Sequence, residues 1–351
     1  MTELKEICKV QCGFAFDSKK FTEDDSFSPL IRIRDVKRGF TQTYYTGEFS
    51  SEYIVHKGDL LVGMDGEFNI ARWNSEDALL NQRVCRIIAN SNVNEEYLRF
   101  YLKRALKLIE SKTSFVTVKH LSAKELNGLK LNLPCMENQQ RISKQLSILE
   151  LVIRKNKKVL ELFDELVKAR FVEMFGDPIE NQKDWEVVKI RDIVTDVRYG
   201  TSKPAVEGGR YPYLRMNNLT VDGGLDLSDL KYIDIPDNEI EKCVVRKGDI
   251  LFNRTNSIDL IGKTAVFNLL DDMVIAGYII RIRLNDQILP DVFSQYMNLE
   301  TMKKILRGMA KGAVNQANIN AQELQSIKVY IPDMELQRQY VEFKEEIDKS
   351  R

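Results

Sequence analysis

The chain has 351 residues, of which 43% are hydrophobic and 30% are charged. This composition is typical of a folded globular protein and excludes a disordered or fibrous one. The length exceeds what one ordinary core holds, so two domains are expected. No run approaches the ~18 apolar residues of a membrane span, and the start of the chain, Met1–Lys5, lacks the apolar stretch of a secretory signal. We therefore expect a cytoplasmic protein that does not associate with a membrane.

Charge and cysteine content limit the partners further. Lys and Arg number 52, as do Asp and Glu, so the formal net charge is zero. This balance counts mildly against a nucleic-acid binder, although a basic cleft can coexist with acidic faces. The five cysteines are scattered, and the only histidines are His56 and His120. A structural zinc site needs four such ligands at close spacing, so we expect no metal and reduced, mostly buried thiols.

Internal similarity relates the two halves of the chain. Residues 112–141 match residues 310–339 without a gap, and further upstream Val55–Leu61 matches Val245–Leu251. The blocks keep their order while the spacing between them drifts, as expected when loops differ in length. The aligned pairs include Val116 with Val314, Leu121 with Ile319, Glu125 with Glu323 and Gln139 with Gln337. We infer that the chain is a duplication of one unit.

Each half is predicted to begin with short strands and to continue into an amphipathic helix. In the first half the strands cover Leu30–Arg34 and Asp59–Met64, and a Lys-Gly-Asp step before the second one indicates a turn. The apolar spacing then predicts the helix over residues 94–111 and its counterpart over residues 291–307. A polar loop and a further strand come next, ending at Pro134 and Pro332.

A long helix is predicted from Glu137 to Phe175, about 55–60 Å at 1.5 Å per residue. Apolar residues recur along it at alternating spacings of four and three, with one polar interruption at Asn156. Such a seam is typical of a coiled coil, in which one polar residue can fix the register. The alternative is a helix packed on its own domain. The seam consists of Ile142, Leu146, Leu149, Ile153, Asn156, Leu160, Phe163, Val167 and Met174.

The corresponding helix of the second half begins near Met334 and has less than half this length, since the sequence stops at Arg351. We expect this segment to be the truncated start of a longer helix. The predicted class is α+β, with two tandem β-rich domains joined by long helices. The predicted boundaries are 1–135 for the first domain, 136–176 for the central helix, 177–333 for the second domain and 334–351 for the last helix.

Motifs for catalysis are weak. The spacing of Asp333, Glu342 and Lys344 resembles a nuclease signature, but Cys135 occupies the position of Asp333 in the first half. Neither a Gly-x-Ser-x-Gly elbow nor the Asn/Asp-Pro-Pro-aromatic motif of an adenine methyltransferase occurs. We predict a non-catalytic protein. A nuclease that uses these three residues and a protein-binding coiled-coil scaffold are the alternatives.

Polar and basic loops suited to reading a DNA duplex remain. Arg and Lys can pair with guanine, Asn and Gln with adenine, and Ser, Thr and Lys can hold phosphates. In the first half the candidates are Arg32, Arg34, Lys37, Arg38, Asn69, Arg72, Asn81, Gln82, Arg83, Lys112, Thr113, Ser114, Thr117 and Lys119. In the second half they are Tyr199, Thr201, Ser202, Lys203, Arg215, Asn217, Asn218, Asn253, Arg254, Thr255, Asn256, Lys263, Tyr278, Lys311, Asn315, Gln316 and Asn318.

With these blocks the chain resembles the specificity (S) subunits of type I restriction–modification systems, the HsdS family. The resemblance rests on Lys57–Gly66 followed by Ala78–Val84, and on Lys247–Asn256 followed by Ile261–Lys263. It rests also on the helix start Leu/Ile-Pro-x-Met-Glu-x-Gln, which occurs twice. Nearly the whole chain is covered. In the family the second conserved helix is long enough to pair with the central one, and this chain departs from that pattern. The seam would then be partly unpaired, so we expect self-association or dependence on the methyltransferase subunits of the family.

The resemblance implies a division of labour in a larger complex. Each half would be a target-recognition domain that reads one half of a bipartite site in double-stranded DNA. The long helices would form an antiparallel coiled coil that sets the spacer and docks two methyltransferase (M) subunits. Those subunits would bind S-adenosylmethionine and methylate adenine N6, and motor–nuclease (R) subunits would join for cleavage. This chain would bind no cofactor and would contribute specificity only.

Overall fold

The computed structural model describes residues 1–112, 120–313 and 316–351, without the side chains of Lys112 and Ala313. The chain divides into two compact units, Met1–Lys155 (the first unit) and Asn156–Arg351 (the second unit). Among the described residues, no helix combines the length and the apolar character needed to cross a membrane.

The strands described in the first unit form three sheets. The four-stranded sheet is antiparallel, in the order Cys8–Cys12, Val84–Ala89, Leu60–Gly63 and Ile70–Arg72. The five-stranded sheet has the order Phe21–Thr22, Tyr44–Tyr45, Ser28–Ile31, Ala78–Leu80 and Ile54–Val55. The pair Ser28–Ile31 and Ala78–Leu80 runs parallel, whereas its neighbours run antiparallel. The small sheet pairs Thr2–Glu3 with Lys130–Leu131.

Helices cover one face of the four-stranded sheet in the first unit. The helix Glu95–Lys112 confirms the prediction over residues 94–111, and it buries Leu98 and Leu102 against Leu60 and neighbouring strand residues. The other α-helices described in this unit are Leu4–Ile7, Ile33–Arg38 and Ala123–Asn127, and short 3-10 turns lie at Ser18–Lys20 and Ser51–Tyr53.

The helix Ile33–Arg38 corrects the strand predicted over Leu30–Arg34, which ends at Ile31. The buried Asp35 carboxylate accepts a hydrogen bond from the Arg32 backbone N–H at 2.8 Å, which starts the helix. Gly39, at φ +78°, ends it in the left-handed conformation. A six-residue helix held by local capping leaves no periodic apolar signal, and this is why the pattern missed it.

The strands of the second unit repeat the arrangement of the first. The antiparallel sheet has the order Val194–Tyr199, Ile279–Leu284, Ile250–Asn253 and Thr264–Val266. The mixed sheet has the order Lys231–Ile233, Tyr211–Leu214, Met273–Ile275 and Val244–Val245, and again its two middle strands are parallel. The small sheet pairs Glu186–Lys189 with Lys328–Ile331. An additional sheet contains Thr255–Asn256, Gln316–Asn318 and Lys311–Ala313. This shared topology confirms the duplication.

The amphipathic helix predicted over residues 291–307 consists of two helices, Pro290–Asn298 and Glu300–Met309. The break falls at Leu299, whose backbone is extended (φ −65°, ψ 145°). Just before it, the Asn298 side chain donates to the Thr264 carbonyl at 2.6 Å and ties the first helix to the sheet. The remaining α-helices described in this unit are Ile240–Cys243, Ala321–Ser326 and Met334–Lys349, with 3-10 turns at Ile190–Asp192 and Met216–Asn218.

The Lys-Gly-Asp step forms the same turn in both units, as predicted. Gly58 and Gly248 have φ values of +101° and +93°, a conformation that side chains disfavour. In each turn the following aspartate, Asp59 or Asp249, accepts from the backbone N–H three residues earlier at 2.9 Å. The same carboxylates bind an arginine of the central strand, so the turn is fastened to the sheet.

The glutamine of the repeated helix start has an equivalent place in each unit. Gln139 and Gln337 are buried, and their Nε2 atoms donate to the carbonyl of the proline five residues earlier, at 2.9 and 2.8 Å. Their Oε1 atoms accept from the backbone N–H of Asn94 and Leu289, each at 2.8 Å. Because an amide carries a donor and an acceptor on separate atoms, each glutamine clamps two helix starts together.

The long helix spans Met136–Phe175, which confirms the predicted range to within one residue. In the second unit its last turns lie in the core, where the rings of Phe171 and Phe175 are 5.3 and 5.5 Å from that of Tyr340. Arg351 pairs with Asp164 at 2.6 Å. Because Tyr340 meets the end of the long helix and Arg351 meets an earlier turn, the helix Met334–Lys349 runs antiparallel to it.

The predicted seam has two environments. Val167 and Met174 are buried in the core of the second unit. By contrast, Leu149 and Ile153 are each 56% exposed and Leu160 is 42% exposed. This end of the helix therefore packs on its own domain, as the alternative describes, and the coiled coil along the rest of the seam stays a prediction.

Candidate nucleic-acid interface

A polar cleft of the first unit collects five of the predicted DNA-contacting residues. Arg32 and Arg34 line two adjoining hollows of about 320 and 740 Å³. Asn81, Gln82 and Arg83 line the smaller of the two. The two hollows together form the first cleft.

The parallel strand pair explains why these residues meet. Ser28–Ile31 and Ala78–Leu80 lie side by side, with Ile31 opposite Leu80. Parallel strands bring their carboxyl ends to one edge of a sheet, so the residues that come after both strands are neighbours. A third segment reaches the same edge at Gly13, where a Cβ atom would lie 2.2 Å from a backbone oxygen of Asn81. Only glycine fits that approach.

The second unit builds a cleft of about 620 Å³ by the same construction. Its parallel strands place Leu214 opposite Ile275, and Gly200 approaches Ile275 so closely that a Cβ atom would lie 2.2 Å from its oxygen. This second cleft is lined by Thr201, Ser202, Lys203, Arg215, Asn217, Arg254 and Tyr278, all of them predicted DNA-contacting residues.

The strand registers give a residue-by-residue equivalence between the clefts. Because the Ile31–Leu80 pair corresponds to the Leu214–Ile275 pair, the residues immediately after each strand correspond as well. The equivalent pairs are Arg32 with Arg215, Arg34 with Asn217, Asn81 with Ala276, Gln82 with Gly277, and Arg83 with Tyr278. The backbone of the two sites is thus shared, whereas most of the side chains differ.

Acidic partners orient the arginines of the first cleft without covering them. The Arg83 guanidinium lies 3.3 Å from an Asp65 carboxylate oxygen and 3.2 Å from Nδ1 of His120, which itself bonds to Asp65. Arg34 lies 3.6 Å from Asp35. Both arginine side chains remain about half exposed. An arginine held this way keeps N–H donors for an external acceptor such as a base edge or a phosphate.

Two arginines of the second cleft carry donors that have no acceptor among the described residues. Arg215 bonds to Asp229 at 2.7 Å, and Arg254 stacks 4.9 Å above the ring of Tyr199 and donates to the Gly277 carbonyl. The buried Nε atoms of both have no hydrogen-bond partner within the described part of the chain. An unsatisfied buried donor is costly, so both guanidinium groups carry an energetic penalty in this conformation.

Comparison with known proteins places this architecture in a family. The profile of the family described as "Type I restriction modification DNA specificity domain" matches residues 1–162 and 182–350. The type I restriction enzyme EcoBI specificity subunit of Escherichia coli is 30% identical over 369 aligned residues, which cover 96% of this chain and 77% of that protein. The chain belongs to the type I restriction–modification DNA specificity family.

Solved structures agree with this assignment at the level of the fold. The S subunit of a type I restriction–modification system from M. genitalium superposes with a TM-score of 0.56 at 14% identity, covering 99% of this chain and 89% of that chain. A chain from a structural study of complex assembly and conformational transition of the type I R-M system superposes with a TM-score of 0.50 at 18% identity, covering 99% and 90%.

The structure contradicts two of the predicted DNA contacts, Lys263 and Asn253, because both side chains are buried. Lys263 is 7% exposed, burial lowers its pKa, and its Nζ donates to the backbone carbonyls of Met216 and Leu219 at 2.8 and 2.5 Å. Asn253 is fully buried and donates to two backbone carbonyls. In this fold neither side chain reaches a duplex, because each one braces a loop from inside.

Three further candidates also have structural partners. The buried Asn218 amide accepts from the Arg215 backbone N–H at 2.8 Å and caps a 3-10 turn. The buried Thr255 hydroxyl donates to the Asn318 side chain at 2.9 Å. Arg72 donates to Glu96 at 2.8 Å and to the Gly58 carbonyl, so it fastens a strand to the helix Glu95–Lys112. The predicted DNA contacts of Asn218, Thr255 and Arg72 are therefore replaced by structural roles within the unit.

The other candidates lie outside the two clefts. Lys37 pairs with Glu67, and Lys311 pairs with Glu323. The Tyr199 hydroxyl accepts from the Ala321 backbone N–H. Arg38, Asn69, Asn256, Gln316 and Asn318 line neither cleft. Thr113, Ser114, Thr117, Lys119, Asn315 and the side chain of Lys112 lie outside the described residues.

The sequence does not predict several uncharged residues that line the first cleft. Phe16, Ser18 and Phe21 line the first cleft, as do Gln42 and Thr43. A signal for the first three exists in the repeat. Gly13 occupies the position of Gly200, and the residues after Gly200 are predicted contacts, so the repeat predicts contacts among the residues after Gly13 as well.

The three residues of the nuclease alternative, Asp333, Glu342 and Lys344, do not come together in one site. Asp333 lies at the N-terminal cap position of the helix Met334–Lys349, and Glu342 lies within that helix. Nine residues separate them, which is about 13 Å along the axis at 1.5 Å per residue. Lys344 is two residues from Glu342, which places the two on different sides of that helix, and it is paired with Asp291 at 2.5 Å. Within the described residues, no group of three or more His, Cys, Asp or Glu side chains is arranged to hold a metal ion.

Proposed function

We propose that this chain is the DNA-recognition subunit of a type I restriction–modification complex, in which each unit reads one half of a bipartite target. The observation that carries the proposal is the pair of clefts, which share a backbone construction but present different side chains. A duplicated scaffold with divergent contact residues suits two different half-sites.

The proposed contacts derive from the chemistry of each cleft. Arg32 and Arg215 occupy the same position in both, where an arginine can pair with guanine or with a phosphate. Beside it, the first cleft offers Arg34, Asn81, Gln82 and Arg83, and the second offers Thr201, Ser202, Lys203, Asn217, Arg254 and Tyr278. The amides favour adenine, and the hydroxyls favour phosphate oxygens.

We propose that the chemistry belongs to partner chains. Two methyltransferase subunits would supply S-adenosylmethionine and methylate adenine, and motor–nuclease subunits would cleave. This chain would bind no cofactor. The exposed apolar residues of the long helix between Ile148 and Leu166 would dock the methyltransferase subunits and continue the antiparallel coiled coil. Large exposed apolar patches mark such contacts.

Light scattering of the purified chain, with and without the methyltransferase, tests the docking. We expect a one-to-two complex whose formation is reduced by the double substitution Leu149→Lys and Ile153→Lys. A matched control is Lys155→Ala, which alters the same helix without removing apolar surface. If the chain alone forms a stable dimer that the methyltransferase does not disrupt, a second copy occupies this surface instead.

Methylome sequencing of cells that express this chain with its methyltransferase tests the recognition itself. We expect a split motif, methylated on both strands, with an unspecified spacer. Exchanging residues 1–135 for the first half of a relative is expected to change one half of the motif and to leave the other. A continuous or palindromic motif would contradict the two-cleft proposal.

A further inference from the structure

Two cysteines face each other across adjacent strands in the four-stranded sheet of the first unit. Cys12 and Cys85 are direct partners across adjacent antiparallel strands, and their Sγ atoms are 2.9 Å apart. Both are free thiols. Residues directly opposite in an antiparallel pair have Cα atoms about 4.5–5.5 Å apart, which lies within the range of about 4.4–6.8 Å that a disulfide requires. A disulfide can therefore form here without moving the strands.

The two thiols differ in their environment. Cys85 is fully buried, with the Met64 thioether sulfur 3.0 Å from its Sγ, and burial raises the pKa of the Cys85 thiol well above its usual range. Cys12 is only partly buried. A reagent from solution therefore meets Cys12 first, and Cys85 lies in place to react with whatever forms on Cys12.

We propose that Cys12 and Cys85 form a reversible modification site that reacts with low-molecular-weight disulfides of the glutathione type. The Cys12 thiolate attacks one sulfur of the reagent, the reagent's S–S bond breaks, and one thiol leaves with a proton. Cys85 then loses its proton and attacks the Cys12 sulfur, which displaces the second thiol. The protein thiols lose two electrons and two protons, and the reagent is reduced to two thiols.

A cross-link between Cys12 and Cys85 would affect the chain segments next to the first cleft. Cys12 directly precedes Gly13 and Phe14, whose backbone N–H groups bond to the strand ends at Val84 and Leu80. Cys85 lies two residues after Arg83. The disulfide would therefore cross-link the segment that reaches the cleft edge at Gly13 to the strand that follows Arg83.

The second unit lacks this site. The position equivalent to the Cys12–Cys85 pair holds Tyr199 opposite Ile280. Oxidation would thus stiffen one cleft and leave the other unchanged. The redox state of the cysteine pair would then affect recognition of only one half of the proposed DNA target.

Tryptic mass spectrometry of the full chain tests the proposal. Cleavage places each cysteine in its own peptide, with Cys12 in Val10–Lys19 and Cys85 in Val84–Arg86. After native incubation with glutathione disulfide and alkylation of the remaining thiols, we expect these two peptides to be joined with the loss of two hydrogens. Dithiothreitol is expected to restore both free peptides.

Two variants separate this site from general thiol reactivity. Cys12→Ser is expected to abolish the joined peptide and to leave Cys85 alkylated only after denaturation. Cys135→Ser removes an exposed thiol elsewhere and is expected to leave the joined peptide unchanged. The proposal is overturned if Cys12 in the unaltered chain stays as a mixed glutathione disulfide while Cys85 remains a free thiol.

Discussion

The two clefts share one backbone construction and present different side chains at equivalent positions. The equivalent positions hold Arg32, Arg34 and Arg83 in the first cleft and Arg215, Asn217 and Tyr278 in the second. The features that create the clefts, a parallel strand pair and a glycine that admits a third segment, are the same in both. The scaffold and the contact surface are therefore separable, because the differing side chains lie just beyond the strand ends and do not pack between the strands.

The largest expected effect tests the shared scaffold. At Gly200 a Cβ atom would lie 2.2 Å from the Ile275 oxygen and 2.4 Å from the Ala276 oxygen, and backbone cannot yield as a flexible side chain does. We expect Gly200→Ala to lower the free energy of unfolding of the second unit by about 3 kcal/mol. Urea unfolding monitored by circular dichroism measures this free energy.

Gly308→Ala is the matched control for this glycine. It lies in the helix Glu300–Met309 and a Cβ atom there meets nothing within 4 Å. Alanine is expected to stabilise that helix by about 0.5–1 kcal/mol. Equal unfolding free energies for Gly200→Ala and the unaltered chain would show that the third segment does not form the cleft edge.

The glutamine clamp gives the next largest effect. Gln337 makes hydrogen bonds of 2.8–3.0 Å to the backbone of Leu289, Gln287 and Pro332, and alanine would leave these buried groups unpaired. We expect Gln337→Ala to destabilise the second unit by about 2 kcal/mol. Gln339→Ala, an exposed position on the same helix, is expected to leave the urea midpoint unchanged. If both variants unfold alike, the clamp contributes nothing.

Sequence patterns predict the regular elements of this fold well and its buried polar contacts poorly. The long helix is predicted to within one residue because a heptad seam repeats over many turns. Lys263 and Arg72 are residue types that suit DNA, so the sequence alone predicts contacts for both. Their partners, including Leu219 and Glu96, lie far along the chain, and only the folded arrangement brings them together.

The residues that line the clefts can be predicted from the sequence only in part. Polar residues after strands mark the correct segments, since strand ends at a sheet edge expose the residues that come directly after them. The equivalence of Arg83 with Tyr278 depends on strand register, which the sequence blocks do not contain. Aromatic residues such as Phe21 carry no charge signal and are missed.

Exchanging the unlike residues tests the contact surface directly. We expect Arg83→Tyr to change the base preference in one half of the methylated motif and Tyr278→Arg to change the other half. One base contact contributes about 1–3 kcal/mol, a factor of about 5–150 in discrimination. Methylome sequencing with the methyltransferase present reads both halves at once. A change in both halves from either single substitution would contradict the separation of the clefts.

The smallest expected effect concerns Lys37, which lies next to the first cleft but does not line it. Arg34 and Lys37 lie one turn apart on the helix Ile33–Arg38, but only Arg34 lines the cleft, whereas Lys37 forms an exposed pair with Glu67 at 3.1 Å. Exposed ion pairs add little to stability. We therefore expect Lys37→Ala to leave both the urea midpoint and the methylated motif unchanged, while Arg34→Ala relaxes one half of the motif. If Lys37→Ala relaxes the motif as strongly as Arg34→Ala, the contact surface extends around this helix beyond the cleft.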